Sequence, residues 1–271
     1  MKDTARQTLS RQQLDELAPR YDGLFGHGDR GDWMRRRVQE TLLKRFRPGD
    51  RILEFGCGTG TDAVMLAKSG VSVTATDISP AMAELTARKV RLEGVEALVR
   101  VAVVDAGRLE NLGGHMFDGA FSNFNVLNYL DDLDGFSDRI GGLLRPGAPL
   151  ICTLLNRVCL WEVLYFAATM KPVRAFRRMT RRNEELMAGQ APLALRLYRP
   201  GVFARKLSRD FAVRRITGYG LLLPPAGFAP PAGRWEWIFR LAERLEKNLS
   251  GFPFYSLCDH YVIELERKAL P

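Results

Sequence analysis

Arg51-Ile-Leu-Glu-Phe-Gly-Cys-Gly-Thr-Gly60 is the stretch that decides the fold, because an apolar strand runs directly into three glycines at alternate positions. Gly56, Gly58 and Gly60 have no Cβ, so their backbone N–H groups can approach a ligand closely. The following residues, Thr61 to Lys68, have the apolar spacing of a helix whose N-terminus would face the same ligand. This order of strand, glycine loop and helix predicts a site for a nucleotide-like cofactor.

Two common nucleotide-binding motifs do not match this loop. A dinucleotide fingerprint would need its third glycine at position 61, which is Thr61, and a phosphate loop would need Gly-Lys followed by Ser or Thr. The loop therefore favours neither a nicotinamide cofactor nor a nucleoside triphosphate.

The segment Glu54–Gly60 resembles the first motif of class I S-adenosylmethionine-dependent methyltransferases of the small-molecule type. Three further segments agree with that family in order and spacing, namely 71–77, 101–106 and 117–124. The resemblance covers residues 45 to 156 well and the rest loosely. It implies a Rossmann-like fold and S-adenosylmethionine as cofactor, with S-adenosylhomocysteine as product.

Site residues for that cofactor follow from the strand ends. Asp77 ends the second apolar strand about twenty residues after the glycine loop, where a carboxylate can accept hydrogen bonds from both ribose hydroxyls. The resemblance implies that Glu54 and the loop hold the amino acid end, and that Asp105 and Ala106 lie beside the adenine. The residues expected to bind cofactor are Tyr21, Glu54, Gly56, Cys57, Gly58, Gly60, Asp77, Ile78, Asp105, Ala106 and Asn123.

The alternation of strands and helices from 51 to 156 predicts an α/β fold. We expect a seven-stranded, mostly parallel, doubly wound sheet with an antiparallel last strand and helical lid insertions. The expected organisation is an N-terminal helical lid (1–50), a cofactor-binding core (51–156), a helical insertion over the substrate (157–198), and the C-terminal part of the sheet (199–271) with an inserted helix in 219–257.

The composition of the chain indicates its cellular compartment and the ligands that it suits. The 271 residues carry a formal net charge of +9, mostly from arginine, which suits planar anions but is also what a GC-rich genome produces. The four cysteines are scattered without a C-x-x-C pair, so no metal site is expected. An apolar signal region is not seen near the N-terminus, and the longest apolar run, 158–170, is too short to span a bilayer. These features predict a cytoplasmic protein.

Methyl transfer is an in-line displacement that needs positioning, and a base helps when the acceptor arrives protonated. His260 at the start of the last predicted strand is the expected catalytic base, with Asp259 orienting it, although such a pair can also cap a strand. His27 in the segment 21–29 and His115 before the fourth strand are more typical of exposed loop histidines.

Aromatic and cationic residues predict the character of the substrate. Expected substrate contacts are Phe124, Asn128, Trp161 and Tyr165. The insertion joins an apolar helix, 160–170, to six cations within residues 171–182. Such a segment could close over an apolar substrate, accept an anionic group or lie on anionic lipid, or it could be a lid helix with solvated arginines.

The leading hypothesis is O-methylation, in secondary metabolism, of a hydrophobic small molecule with room for an anionic group. The alternatives are C- or N-methylation of a lipid or quinone, an RNA methyltransferase suggested by the basic charge, a non-catalytic cofactor-binding scaffold, and a related reaction such as cyclisation on the same fold. Nucleic acid is the less favoured partner because no appended RNA-binding module is recognisable. The oligomeric state stays open.

Overall fold

The computed structural model describes residues 11–23, 29–112, 116–179, 183–185, 193–225 and 236–269. Its strands are β1 (Arg51–Phe55), β2 (Ser72–Asp77), β3 (Val99–Val103), β4 (Gly119–Ser122), β5 (Pro149–Leu155), β6 (Asn183–Glu185), β7 (Leu193–Leu195), β8 (Phe211–Tyr219) and β9 (His260–Arg267). Its helices are α1 (residues 11–17), α2 (Asp29–Arg45), α3 (Thr61–Lys68), α4 (Pro80–Leu92), α5 (Leu133–Leu143), α6 (Leu160–Ala168), α7 (Pro172–Ala175), α8 (Pro200–Lys206) and α9 (Glu236–Glu246).

Seven strands form one sheet in the order β3-β2-β1-β4-β5-β9-β8. Neighbouring strands from β3 to β5 are parallel, whereas β9 runs antiparallel to both β5 and β8. β1 lies in the middle because its apolar side chains fill both faces: Ile52, Leu53 and Phe55 are fully buried. The predicted sheet, including its antiparallel last strand, is confirmed.

Helices cover both faces of the sheet and enclose two apolar cores. One core contains Trp33, Leu42 and Leu66 from α2 and α3, packed on one face of the sheet. The other contains Phe136 and Phe203 from α5 and α8 on the opposite face. The carboxyl ends of the parallel strands are left open at one edge, which is where ligands bind in open α/β sheets.

The insertion differs from its prediction. Residues 157–198 were expected to be helical, but after α6 and α7 the chain forms a two-stranded sheet of β6 and β7. Three-residue strands are too short to show a period-two pattern in the sequence, which explains the difference. The segments 1–10, 24–28, 113–115, 180–182, 186–192 and 226–235, with His27 and His115 among them, lie outside the described residues.

Candidate active site

The glycine loop after β1 turns sharply under the end of β2. Gly56, Gly58 and Gly60 all have positive φ angles, of 74°, 55° and 80°. The backbone N–H of Gly56 donates to the Thr76 carbonyl at 2.7 Å. A Cβ at Gly56 would lie 2.2 Å from Cγ2 of Val126, so both conformation and space require glycine there.

Gly60 has a different role from the other two glycines. It is not among the described residues that line the cleft beside the loop. A Cβ on it would lie 2.6 Å from Cγ2 of Thr86 on α4. Gly60 therefore lets the start of α3 pack against α4, and its contact with the cofactor stays a prediction.

Two buried carboxylates lie at the ends of β1 and β2. Glu54 is 2 % exposed and its Oε2 has no hydrogen-bond partner among the described residues. Burial, together with the nearby charge of Asp62, raises the pKa of Glu54 well above its usual value. Asp77 accepts from the backbone N–H groups of Gly58 at 2.9 Å and Ser79 at 3.0 Å. Burial nevertheless raises the pKa of Asp77 to about 6.

These groups open into one cleft at the carboxyl edge of the sheet. Ten of the eleven residues predicted to bind cofactor line it, all except Gly60: Tyr21, Glu54, Gly56, Cys57, Gly58, Asp77, Ile78, Asp105, Ala106 and Asn123. Phe124, predicted to contact substrate, lines the cleft too. The phenol of Tyr21 is deeply placed, and burial raises its pKa to about 12.

Arg35 and Asp62 also line the cleft, and the sequence analysis missed both. Asp62 in the first turn of α3 is 3 % exposed and accepts hydrogen bonds from three side chains: Gln39 at 2.7 Å, Asn123 at 2.9 Å and Arg35 at 3.2 Å. The Arg35 guanidinium carbon lies 4.3 Å from the centre of the Phe124 ring. This group ties α2, α3 and the end of β4 together.

His260 lies beside the cleft rather than in its described wall. Its Nδ1 is 3.0 Å from Oδ2 of Asp259, and its Nε2 is 3.2 Å from Nδ2 of Asn125. Asn125 sits between Phe124 and Val126, which both line the cleft. It adopts a left-handed conformation with φ 69°, and its buried Oδ1 has no partner among the described residues. Asn125 therefore connects the Asp259–His260 pair to the wall of the cleft.

Asn128 is not placed to bind a substrate, contrary to the prediction. It is fully buried. Its Oδ1 accepts from the Leu155 N–H at 2.9 Å, and its Nδ2 donates to the carbonyls of Leu155 at 3.3 Å and Arg196 at 2.8 Å. The side chain joins β5 to the segment after β7, so its amide is used within the fold.

Trp161 and Tyr165 do not reach the cleft either. They stack on each other along α6, with ring centres 5.2 Å apart. Neither ring is among the described residues that line the cleft. Consecutive helical turns bring the two rings onto each other, and their contact with a substrate stays a prediction.

Among the described residues, none of the helices combines the length and the apolar character needed to cross a bilayer.

Comparisons with known proteins agree with this geometry. Residues 53–150 match a family model described as "Methyltransferase domain". The chain is 30 % identical over 209 residues to a ubiquinone biosynthesis O-methyltransferase of Methylocella silvestris, covering 74 % of this chain and 72 % of that protein. It is 30 % identical over 146 residues to a demethylmenaquinone methyltransferase of Symbiobacterium thermophilum, covering 52 % and 57 %.

The fold also matches solved structures over nearly its whole length. The [4+2]-cyclase SpnF superimposes with a TM-score of 0.63 at 19 % identity, covering 98 % of this chain and 97 % of that one. Identity this low establishes the fold alone. The identity to the Methylocella protein over most of both chains, together with the match of residues 53–150, establishes the family. By these relationships, the chain belongs to the class I S-adenosylmethionine-dependent methyltransferases.

Proposed function

We propose that this enzyme methylates a hydroxyl group on a hydrophobic, quinone-related ring compound, with His260 as the base that receives the hydroxyl proton. The observation that carries the proposal is the hydrogen-bonded chain Asp259–His260–Asn125 at the edge of the cofactor cleft. The relatives named for ubiquinone and menaquinone methylation support a quinone-type acceptor and give no support to secondary metabolism in particular.

The lining of the cleft fits S-adenosylmethionine, whose sulfonium supplies an electrophilic methyl group when bound. The unpartnered Oε2 of Glu54 is suited to accept from the ammonium group of the cofactor. Asp77 would accept from the ribose hydroxyls, and Asp105 with Ala106 and Ile78 would border the adenine. The two buried carboxylates Glu54 and Asp77 favour a ligand that itself carries positive charge.

The hydrogen bonds of His260 define which nitrogen acts as base. Asp259 is ionised, so Nδ1 of His260 must carry the proton that it donates to Oδ2. A neutral ring then has its lone pair on Nε2, which accepts from Nδ2 of Asn125. An acceptor hydroxyl that takes the place of Asn125 would donate to the same nitrogen, and its proton moves to Nε2 as oxygen attacks the methyl carbon.

The cleft also has apolar residues beyond the expected cofactor contacts. Leu14, Met82, Val126, Tyr129 and Leu130 line it. A ring compound with an apolar tail would bury its carbon atoms there, and each buried CH₂ contributes about 0.8 kcal/mol. The cleft surface therefore favours a hydrophobic acceptor over a nucleic acid.

An exposed surface on α6 and α7 supports contact with anionic lipid. Leu164, Met170, Val173 and Phe176 are between 52 % and 86 % exposed. The exposed cations Lys171 and Arg174 lie in the same stretch, and apolar side chains beside basic ones suit the interface of an anionic bilayer. Flotation with phosphatidylglycerol vesicles, but not with phosphatidylcholine vesicles, is expected for the wild type and lost in Val173→Glu. Equal flotation of both proteins would contradict this contact.

The test of the base is His260→Gln, measured as methyl transfer to phenols and hydroquinones with prenyl side chains. Turnover is expected to fall by about 10²–10⁴-fold, while the dissociation constant of S-adenosylhomocysteine changes less than about twofold. Raising the pH toward the pKa of the phenol should restore part of the lost rate, because the acceptor then arrives ionised.

His115→Gln is the matched control, since the sequence puts His115 before the start of β4. It should leave turnover unchanged. Wild-type turnover in His260→Gln would refute the assignment of the base.

A further inference from the structure

Arg178 connects the insertion to Asp259 and His260, the proposed catalytic pair. It lies in a short 3₁₀ helix, Arg177–Met179, that follows α7. Its Nη2 is 2.6 Å from Oε1 of Glu162 on α6 and 2.6 Å from Oδ1 of Asp259. Its Nη1 donates to the carbonyls of Asn156 at 3.3 Å and Asp259 at 3.2 Å. One guanidinium thus holds the insertion, the end of β5 and the start of β9.

The arrangement gives each oxygen of Asp259 a separate partner. Oδ1 accepts from Arg178, and Oδ2 accepts from Nδ1 of His260. Both carboxylate oxygens and the backbone carbonyl of Asp259 are hydrogen-bonded, so its side chain cannot rotate freely. The direction of its hydrogen bond to the imidazole is therefore fixed. The position of Arg178 therefore determines where the ring of His260 points.

Burial makes this cation hard to replace. The side chains of Arg178 and Asp259 are each 11 % exposed, and that of Glu162 is 2 % exposed. Burial by itself would raise the pKa of Asp259, but His260 and Arg178 outweigh it and hold this pKa well below its usual value. Burial would likewise raise the pKa of Glu162, which Arg177 and Arg178 instead lower.

We propose that Arg178 is a positioning residue, which aims His260 through Asp259 and does so only while the insertion is seated on the sheet. The inference rests on the proposed role of His260 and extends it to the insertion. The orientation of the base would then depend on the contacts that Arg178 makes with Glu162 on α6 and with Asp259.

Arg177 supplies a matched comparison. It donates to the same Glu162 carboxylate, with Nε to Oε2 at 3.0 Å and Nη2 to Oε1 at 2.8 Å. Its side chain is 52 % exposed, and no contact of Arg177 with Asp259 is seen among its described ion pairs. Both arginines anchor α6, but the contact to the catalytic pair is made by Arg178.

Three further titratable groups near Asp259 and His260 carry no charge at neutral pH and so do not compete with the Arg178 guanidinium. The thiols of Cys159 and Cys258 and the phenol of Tyr219 are the neighbouring titratable groups from the segments on either side and from β8. Burial raises the pKa of each of them above its usual value, so all three are neutral near pH 7. Among the described ion pairs, Asp259 pairs with Arg178 and His260, and Arg178 also pairs with Glu162.

The chain has three histidines, so ¹H–¹⁵N correlation spectra of full-length protein bound to S-adenosylhomocysteine can follow His260, with His260→Gln providing the assignment. The wild type should show the tautomer protonated at Nδ1. Arg178→Met should give a mixed tautomer, because Oδ1 of Asp259 loses the partner that fixes the orientation of the carboxylate. Arg178→Lys should give an intermediate result, and Arg177→Met should match the wild type.

Each outcome decides the matter. The inference is overturned if Arg178→Met leaves the tautomer of His260 unchanged, or if Arg177→Met changes it equally. Should Arg178→Met fail to fold, Arg178→Lys decides, because one ammonium cannot reproduce the four contacts and a wild-type spectrum would refute the role. If His260→Gln keeps full turnover, the proposed base fails and this inference with it. If only the spectra disagree, the base stands and Arg178 has no positioning role.

Discussion

Protonation of Asp77 is expected to weaken binding of the nucleoside part of the cofactor below about pH 6. Burial raises the pKa of this carboxyl to about 6, although the N–H groups of Ser79 and Gly58 oppose the shift. A protonated carboxyl has less capacity to accept hydrogen bonds from the ribose hydroxyls. Affinity should therefore be constant between pH 7 and 8 and about tenfold weaker at pH 5.

The same shift has a consequence for the stability of the cofactor-free protein. The pKa rises by about 2.2 units, from 3.8 to about 6, which corresponds to about 3 kcal/mol. Between those two pH values the folded chain keeps a proton that the unfolded chain has lost. The contribution of Asp77 to the free energy of unfolding therefore increases as the pH falls from 6 to 4, and at neutral pH the ionised group destabilises the empty fold.

Calorimetry with 5′-methylthioadenosine isolates this effect, because that ligand has ribose and adenine but no amino acid end and so does not engage Glu54. Asp77→Asn should bind it more weakly than the wild type at pH 8, by about 1.5–3 kcal/mol, and its own affinity should not change between pH 8 and pH 5. Asp134→Asn, which alters an exposed carboxylate on α5, should keep the wild-type pH dependence. Wild-type affinity that stays flat down to pH 5 would refute the reasoning.

Three further substitutions test parts of the site. Gly56→Ala should abolish cofactor binding and lower the melting temperature, because its Cβ would meet Val126 at 2.2 Å and φ is 74°; Gly142→Ala, with no atom within 4 Å of the added Cβ, should instead stabilise α5 by about 0.5–1 kcal/mol. Asn128→Ala should lower the free energy of unfolding, measured in urea, by about 2–4 kcal/mol, because it unpairs buried backbone groups of Leu155. The dissociation constant of S-adenosylhomocysteine should stay unchanged. A loss of cofactor affinity would show that Asn128 acts in the site. Asp62→Ala should reduce both stability and cofactor affinity, since it leaves Arg35, Gln39 and Asn123 without their shared partner. Calorimetry that detects no change in cofactor affinity would contradict the role given to the Asp62 carboxylate.

The sequence was sufficient to bring together most of the residues that line the cleft, because these residues stand at strand ends. Glu54, Asp77, Asp105 and Asn123 come at or just after the ends of four strands, and parallel strands bring their carboxyl ends to one edge. The alternation of the last strand likewise gave His260 as its first residue. Local pattern and a general rule of topology were sufficient for these positions.

Contacts between distant segments could not be read in the same way. Asp62 was predicted only as part of the helix that starts at Thr61, and Arg35 only as part of the helical segment 1–50. Periodicity indicates which face of a helix is buried but not which partner that face meets. Asn128 lies in a polar, aromatic stretch typical of a binding loop, yet it joins two backbone segments. Arg178 was counted among surface cations, although it pairs with a carboxylate 81 positions away.

Transfer of a trideuterated methyl group tests the central claim most directly. Wild type and His260→Gln would be incubated with S-adenosylmethionine labelled on its methyl group and with short-chain prenylated hydroquinones, and the products analysed by mass spectrometry with fragmentation. The account predicts the label on a hydroxyl oxygen in the wild type and a loss of about 10²-fold or more in His260→Gln. Label on a ring carbon, or equal transfer by both proteins, would contradict it.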